Sequence, residues 1–452
     1  MYPYGLIGNC QASALISRTG SFDWLCLPRP DSEPIFGKLL DPNGGSLSIL
    51  PVEGEPRASI QRYEELTNIL VTEIRDEKGH SYRMTDFFPR YEDAGQIYRP
   101  TVCIRILEPI DGHPWVRFQM DPVCGWIKER VRPTRGPQYL EYSIRDEKLR
   151  LSTNLPLTYL NEPSGFALQQ KTYFVLSWST PLTDYIPHLC EEYLEKTRHY
   201  WKTWVKHCSI PTLFQKETIR SALALKLHCF EDTGAILAAL TTSLPEQPGA
   251  GRNWDYRFCW LRDAHFALSA FHNLGHFEET EGFLKFLLGI AAKHESSRER
   301  LAPVYSLTQD LPKNETIQPE WLGYGGSGPV RTENQAAEHI QNDVYREMIL
   351  TLAPIFFDHR FVHLRTPHLE DLLSHLARLC ERSISSEDAG LWEIRNGWQE
   401  HSFTNLMTWA GLERMSRIQA QGDLKNSPVA TAEARDWCLP RPPLITTRRR
   451  TL

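Results

Sequence analysis

Long apolar runs are missing from this 452-residue chain. The longest, Phe286–Ala292 and Ile349–Phe357, fall below half the roughly 20 residues that span a bilayer, so no transmembrane helix is expected. An excess of one charge is missing too: 50 Lys and Arg face 56 Asp and Glu, for a net charge of −6 with both signs interspersed. That balance argues against a nucleic-acid partner, which needs a basic stripe to neutralise phosphates. The first ten residues carry neither the basic nor the apolar region of an export signal, and a cytoplasmic location is expected. Ten cysteines include no CxxC pair and no histidine at ligand spacing, which points to reduced core thiols, with no metal and no cofactor expected. Catalytic signatures of several classes are absent as well. His294-Glu295 runs on to Arg298 where a metalloprotease has its second histidine, and there is no P-loop. Gly323, Gly325 and Gly328 spell a dinucleotide fingerprint, but no β-branched strand precedes them and Pro329 follows, which also spoils a nucleophile elbow at Ser327.

What the chain has in quantity is tryptophan: 13 in all, five of which (Trp254, Trp260, Trp321, Trp392, Trp398) lie in or beside the densest polar motifs. A single tryptophan is most often core. Indoles beside carboxylates also suit a pyranose, whose faces are apolar and whose rim is hydroxyl.

Up to about residue 190, segments such as 45–50, 69–74, 101–107, 115–120 and 172–178 alternate with period two between turn residues. This predicts a large antiparallel β-sandwich over 1–190. A polar, aromatic stretch at 191–206 reads as a connecting helix within a linker spanning 191–211. From 212 to 420 the period is 3.6, and six helices are predicted: 215–230, 262–274, 277–293, 333–355, 367–382 and 402–419. The long loops between them, 231–261, 294–332 and 383–401, hold most of this half's glycine, tryptophan and paired charge, and loops of that length are usually functional.

Two of these loops carry candidate chemistry. Gly251 to Ala264 (GRNWDYRFCWLRDA) opens a helix with Arg262 and Asp263 in its first turn, where a carboxylate is favoured by the helix dipole and a guanidinium can grip a pair of hydroxyls; a capped helix with a local ion pair has the same composition. In Gly390 to Thr404, Glu393 follows Trp392, and a carboxyl in a partly apolar loop has the setting of a general acid, though a lone loop glutamate is commonly solvated.

Gly5–Asn9, Ser17–Arg29, Arg252–Asp263, Asn342–Tyr345 and Leu391–Glu393, in that order, resemble the prokaryotic glucoamylase and trehalase-like enzymes of glycoside hydrolase family 15, over about residues 4–419. The resemblance implies a multidomain β + α architecture: an N-terminal super-β-sandwich followed by a catalytic (α/α)6 toroid. It implies inverting, exo-acting hydrolysis of α-glucosidic bonds, of glucoamylase type or, as the alternative, trehalase type. Glu393 corresponds to the general acid, and Trp260, Arg262 and Asp263 to the grip on a terminal glucose; Trp392 beside Glu393 and Arg331 as a hydroxyl ligand are expected as further substrate contacts. Gly325 and Gly328 stand where the family pattern often has arginine, so the leaving-group side is expected to be less cationic. The substrate expected is a small α-glucoside, a maltodextrin or trehalose.

A full toroid has twelve helices, and the pattern supplies about six. Residues 421–452, with four prolines and Arg448–Arg450, have no helical period and are expected to be an irregular, disordered tail. The family's base lies in the half with no counterpart here. A truncated product with impaired or lost hydrolysis, and self-association through an exposed half-barrel, is therefore expected.

Overall fold

The computed structural model describes residues 3–182, 184–293 and 300–424. The tail expected beyond 421 lies, apart from 421–424, outside the described residues.

Residues 4–178 form two small two-stranded ribbons, Tyr91–Asp93 with Gln96–Tyr98 and Val123–Cys124 with Glu129–Arg130, and two large antiparallel sheets. One orders its strands Tyr4–Gly8, Ser13–Ser17, Phe22–Cys26, Ser46–Pro51, Trp115–Asp121 and Phe166–Ala167, with Pro34–Phe36 joined to Phe22–Cys26. The other runs Thr134–Arg135, Tyr139–Ile144, Glu147–Thr153, Thr172–Trp178, Val102–Asp111, Ser81–Phe87, Leu70–Arg75 and Ala58–Tyr63. Side-chain alternation explains the layering. On Val102–Asp111, Cys103 and Leu107 join the core against the first sheet, with Ile7, Ile49, Phe118 and Phe174. Val102, Ile104 and Ile106 face the other way, onto Ile186, Cys190 and Leu194.

Those last three belong to α1 (Ile186–Lys206), which starts with Pro187 in its first turn and so five residues earlier than the helix predicted at 191. Helices α2 (Gln215–Lys226), α3 (Leu261–Leu274), α4 (Glu278–Lys293), α5 (Asp343–Leu352), α6 (Pro354–Phe357), α7 (Pro367–Arg382) and α8 (Ser402–Ala420) follow. They share one apolar core, to which Phe271, Phe283, Met348, Leu352, Leu373, Leu376 and Met415 contribute. The architecture is thus β-sheet-rich at the N-terminus and helical thereafter.

The helix predicted over 333–355 starts ten residues late. Asn334 accepts from Ala336 N and donates to Asp255 O, capping only a 3-10 turn at Gln335–Glu338, and Ile340 O accepts from Ala389 N across the loops instead of from a next helical turn. Residues 339–342 thereby form a non-helical link, with His339 extended, beneath the loop that carries Glu393.

The two parts lock together through polar bonds. Trp24 Nε1 donates to Leu240 O at 2.9 Å. Buried Arg257 pairs with Asp255 at 2.8 Å and donates to Ser32 O at 2.7 Å. Trp321 donates to Trp126 O and packs over Gly37 and Gly44, where a Cβ would come within 2.6 and 2.8 Å of its indole, so only glycine admits the ring. The glycine-rich stretch after Trp321 is a 3-10 turn at Tyr324–Gly326 leading to the strand Val330–Thr332. Among the described residues no helix is long and apolar enough to cross a membrane. The nine described cysteines are free thiols.

Candidate functional site

A cavity of about 710 Å³, a size that suits a small ligand, opens at the N-terminus of α3. The first turn of α3 brings Arg262 and Asp263, the loop between α7 and α8 brings Glu393, and Asp343, the first residue of α5, lies buried behind Arg262. The positive end of the α3 dipole favours the Asp263 carboxylate there. The walls are Trp254, Tyr256, Trp260, Asn334, Ala336 and His339, and the rim is Glu246, Arg252, Trp392 and Arg395.

Glu393 sits at the centre of the polar network. Its Oε1 accepts from Trp260 Nε1 at 2.7 Å, from Arg262 at 3.2 Å and from Gln341 Nε2 at 3.3 Å. Gln341 Oε1 in turn accepts from Arg262 Nη1 at 2.7 Å, and Asp343 lies 3.5 Å from the same nitrogen. The apolar setting expected from Trp392 is therefore replaced by a donor-rich one. Trp392, 75% exposed, stands at the rim, and it is Trp260 that touches the carboxylate. Glu393 also adopts φ 53°, a left-handed conformation disfavoured for a side-chain-bearing residue, which turns its carboxyl inward from the loop.

The loop is held by Asp388, fully buried. Its Oδ1 accepts from Gly390 N at 3.0 Å; its Oδ2 accepts from Asn342 N at 2.8 Å and from the Thr404 hydroxyl at 3.2 Å. One carboxylate thus fixes the Glu393 loop, the Gln341 segment and the start of α8.

Burial favours loss of the Arg262 proton, but the negative charges of Asp343, Glu393 and Asp263 more than offset this and push its pKa up, so the guanidinium is firmly charged. Asp263 is open to the pocket on one side, and desolvation on the other pushes its carboxyl up against the pull of Arg262. Beneath them, Glu347 on α5 is pushed up to about 9 by burial and by Asp343, which keeps it neutral at pH 7.

Of the residues predicted from sequence, Trp260, Arg262, Asp263, Trp392 and Glu393 line the cavity together. Arg331 does not. Its guanidinium donates to Gly251 O and Asn253 O at 3.0 and 3.1 Å, pairs with Glu315 and covers the Trp254 ring, which leaves it committed to the wall's outer side. Two other cations, Arg252 and Arg395, stand at the rim. Sequence reasoning missed Gln341, Asp343, His339 and Asp388. Asp343 lay inside the Asn342–Tyr345 stretch, a charged residue opening an otherwise buried helix, and that was the available signal.

Among the described residues one group has the spacing of metal ligands: His276, Glu278 and Glu279. It lines a different cavity, and Glu279 Oε1 already accepts from the buried Lys226 ammonium at 2.8 Å.

A model of glycosyl hydrolases family 15 matches residues 214–439, and a model of the trehalase-like N-terminal region matches residues 3–112. A trehalase of Thermoplasma volcanium is 30% identical over 434 residues, covering 93% of this chain and 67% of that one. A trehalase of Thermoplasma acidophilum is 30% identical, covering 94% and 71%. Trehalase 1 of Sulfolobus acidocaldarius is 30% identical, covering 92% and 71%. The chain spans about two thirds of the length of these relatives.

Proposed function

The chain belongs to glycosyl hydrolase family 15, and we propose that this enzyme hydrolyses the α-glucosidic bond of trehalose, with inversion, using Glu393 as general acid. The glucoamylase specificity expected from the motifs gives way to the trehalase alternative, because the relatives just described carry that name. The helices α2 to α8 then form an arc of an (α/α)6 toroid, with the loops before α3, α5 and α8 on its substrate face.

The observation that carries the acid assignment is the place of Glu393 in the cavity wall, its carboxyl held in one orientation by three N–H donors on a single oxygen. With Oε1 so engaged, the proton of the neutral carboxyl belongs on Oε2. As it passes to the glycosidic oxygen, negative charge grows on a carboxylate whose other oxygen already has its donors, so little reorganisation is needed. Arg262 and Asp263 bind hydroxyls of the terminal glucose, Trp260 forms an apolar wall, and Trp392 meets the second ring at the rim. Water attacks the anomeric carbon from the far face, so one glucose leaves as the β and the other as the α anomer. Of the other pocket carboxylates, Glu246 is paired with Arg252 and Asp263 is a hydroxyl ligand, so no described residue is assigned as the base.

Glucose release from trehalose and from maltose by the purified chain tests the reading. Trehalose is expected to be the better substrate, with E393Q lowering kcat by about 10²–10⁴. Preferred cleavage of maltose would return the assignment to glucoamylase, and full activity in E393Q would remove Glu393 from the mechanism.

A further inference from the structure

Gln341 has no place in the catalytic roles assigned above, and it does not line the cavity. It is nevertheless almost wholly buried, and both ends of its amide are used within the site. Oε1 accepts from Arg262 Nη1 at 2.7 Å, and Nε2 donates to Glu393 Oε1 at 3.3 Å. Arg262 closes the ring by donating from Nη2 to the same Glu393 oxygen at 3.2 Å. An amide is the side chain that completes such a ring, since one position must accept from a guanidinium while the adjacent one donates to a carboxyl. The backbone on either side of Gln341 is held independently: Asn342 N donates to Asp388, and Ile340 O accepts from Ala389 N.

We propose that Gln341 is a positioning residue that sets which oxygen of Glu393 carries the transferable proton, by holding Arg262 and its own Nε2–H against Oε1. The proposal rests on the reading of Glu393 as general acid. Without Gln341, Oε1 loses one donor, and Arg262, freed from its acceptor, turns toward Asp343 or the substrate. The carboxyl is then free to rotate about its last torsion and present its proton on either oxygen.

A donor to Oε1 favours the ionised carboxyl, so the sign of the effect is fixed. Q341L removes that donor and moves the ionisation of Glu393 to higher pH. Q341E still accepts from Arg262 but, as a carboxylate, repels Glu393 and moves it further the same way. Groups that face Gln341 and Glu393 and also titrate or carry charge are Arg262 and Asp263 on α3, Asp343 and Glu347 on α5, His339 on the segment before α5, and Asp388 and Arg395 on the Glu393 loop. None of them is altered by these substitutions.

The experiment measures the pH dependence of kcat on trehalose, and the pH dependence of binding of a cationic iminosugar mimic of glucose by calorimetry, for the intact chain and for Q341L, Q341E and Q341N. Expected are a fall in kcat of about 10-fold or more with KM changed less than about 3-fold, a basic limb displaced upward in the order Q341E, then Q341L, and partial recovery in Q341N. The midpoint for iminosugar binding moves with that limb. Unmoved midpoints in both variants, whatever the change in rate or melting temperature, overturn the proposal and leave Gln341 a packing residue. Failure of wild-type hydrolysis sinks the acid assignment instead, and the binding midpoint still reads the Gln341–Glu393 contact.

Discussion

Removing the Asp388 carboxylate disables the site from behind. Asp388 is completely buried and accepts from two backbone N–H groups, Asn342 and Gly390, and from the Thr404 hydroxyl. Asp388→Ala leaves three buried donors without an acceptor, at about 1–3 kcal/mol each before water enters the space left by the side chain. Allowing for that relief, a loss of about 2–5 kcal/mol follows, which lowers the melting temperature of a helical region of this size by roughly 4–20 °C. The isosteric Asp388→Asn does not rescue the fold. Each oxygen faces a backbone N–H, so either flip of the amide turns its NH2 toward another donor. Activity falls with stability, because the same carboxylate fixes both the Glu393 loop and the Gln341 segment; a displacement of about 1 Å there costs on the order of 10²-fold in kcat. Scanning calorimetry and trehalose turnover, measured well below the transition, check the two effects separately. If Asp388→Asn melts and turns over like the wild type, the reasoning about this anchor is wrong.

Acid stability depends on Glu231. Burial alone raises its carboxyl, but Arg90 and Lys226 outweigh this and bring it down to about 2, against an ordinary value of 4.5. A depressed folded-state value contributes stability that is complete above about 4.5 and is lost as pH falls toward 2. In Glu231→Gln, denaturation midpoints between pH 5 and 2 are expected to fall less steeply than in wild type, and an unchanged slope contradicts the assignment. Arg257→Ala strands buried Asp255 and removes the bond to Ser32 O, so a destabilisation of about 3–5 kcal/mol is expected in calorimetry. Trp392→Ala removes an exposed ring at the rim: the melting temperature should stay put while KM for trehalose rises about 2–10-fold, and a loss of stability would show the ring to be structural.

The periodic parts of this chain were legible in sequence because burial is on one face. Val102–Asp111 and Thr172–Trp178 alternate between the sandwich core and α1, and α7 keeps Leu369, Leu372, Leu373 and Leu376 on one side. The Trp260, Arg262, Asp263 and Glu393 group was legible through its density of charge and indole. What escaped depends on contacts between distant loops. Gln335-Ala-Ala-Glu338 has helical composition, yet Asn334 is tied to Asp255 O, and Ile340 to Ala389, so the segment stops at a single 3-10 turn and does not run on into α5. Arg331 has the charge of a hydroxyl ligand, but the carbonyls of Gly251 and Asn253, 78 or more residues away, take up its donors. Gln341 is neutral and breaks no period, so nothing local marks it.

If Glu393 protonates the glycosidic oxygen in an inverting cleavage of trehalose, the two products start as different anomers. Proton NMR of the anomeric region during the first minutes of digestion by the intact chain reads it directly. Equal initial amounts of α- and β-glucose are expected from the wild type, with loss of both signals in E393Q. Release of α-glucose alone before mutarotation, or undiminished release by E393Q, would contradict it.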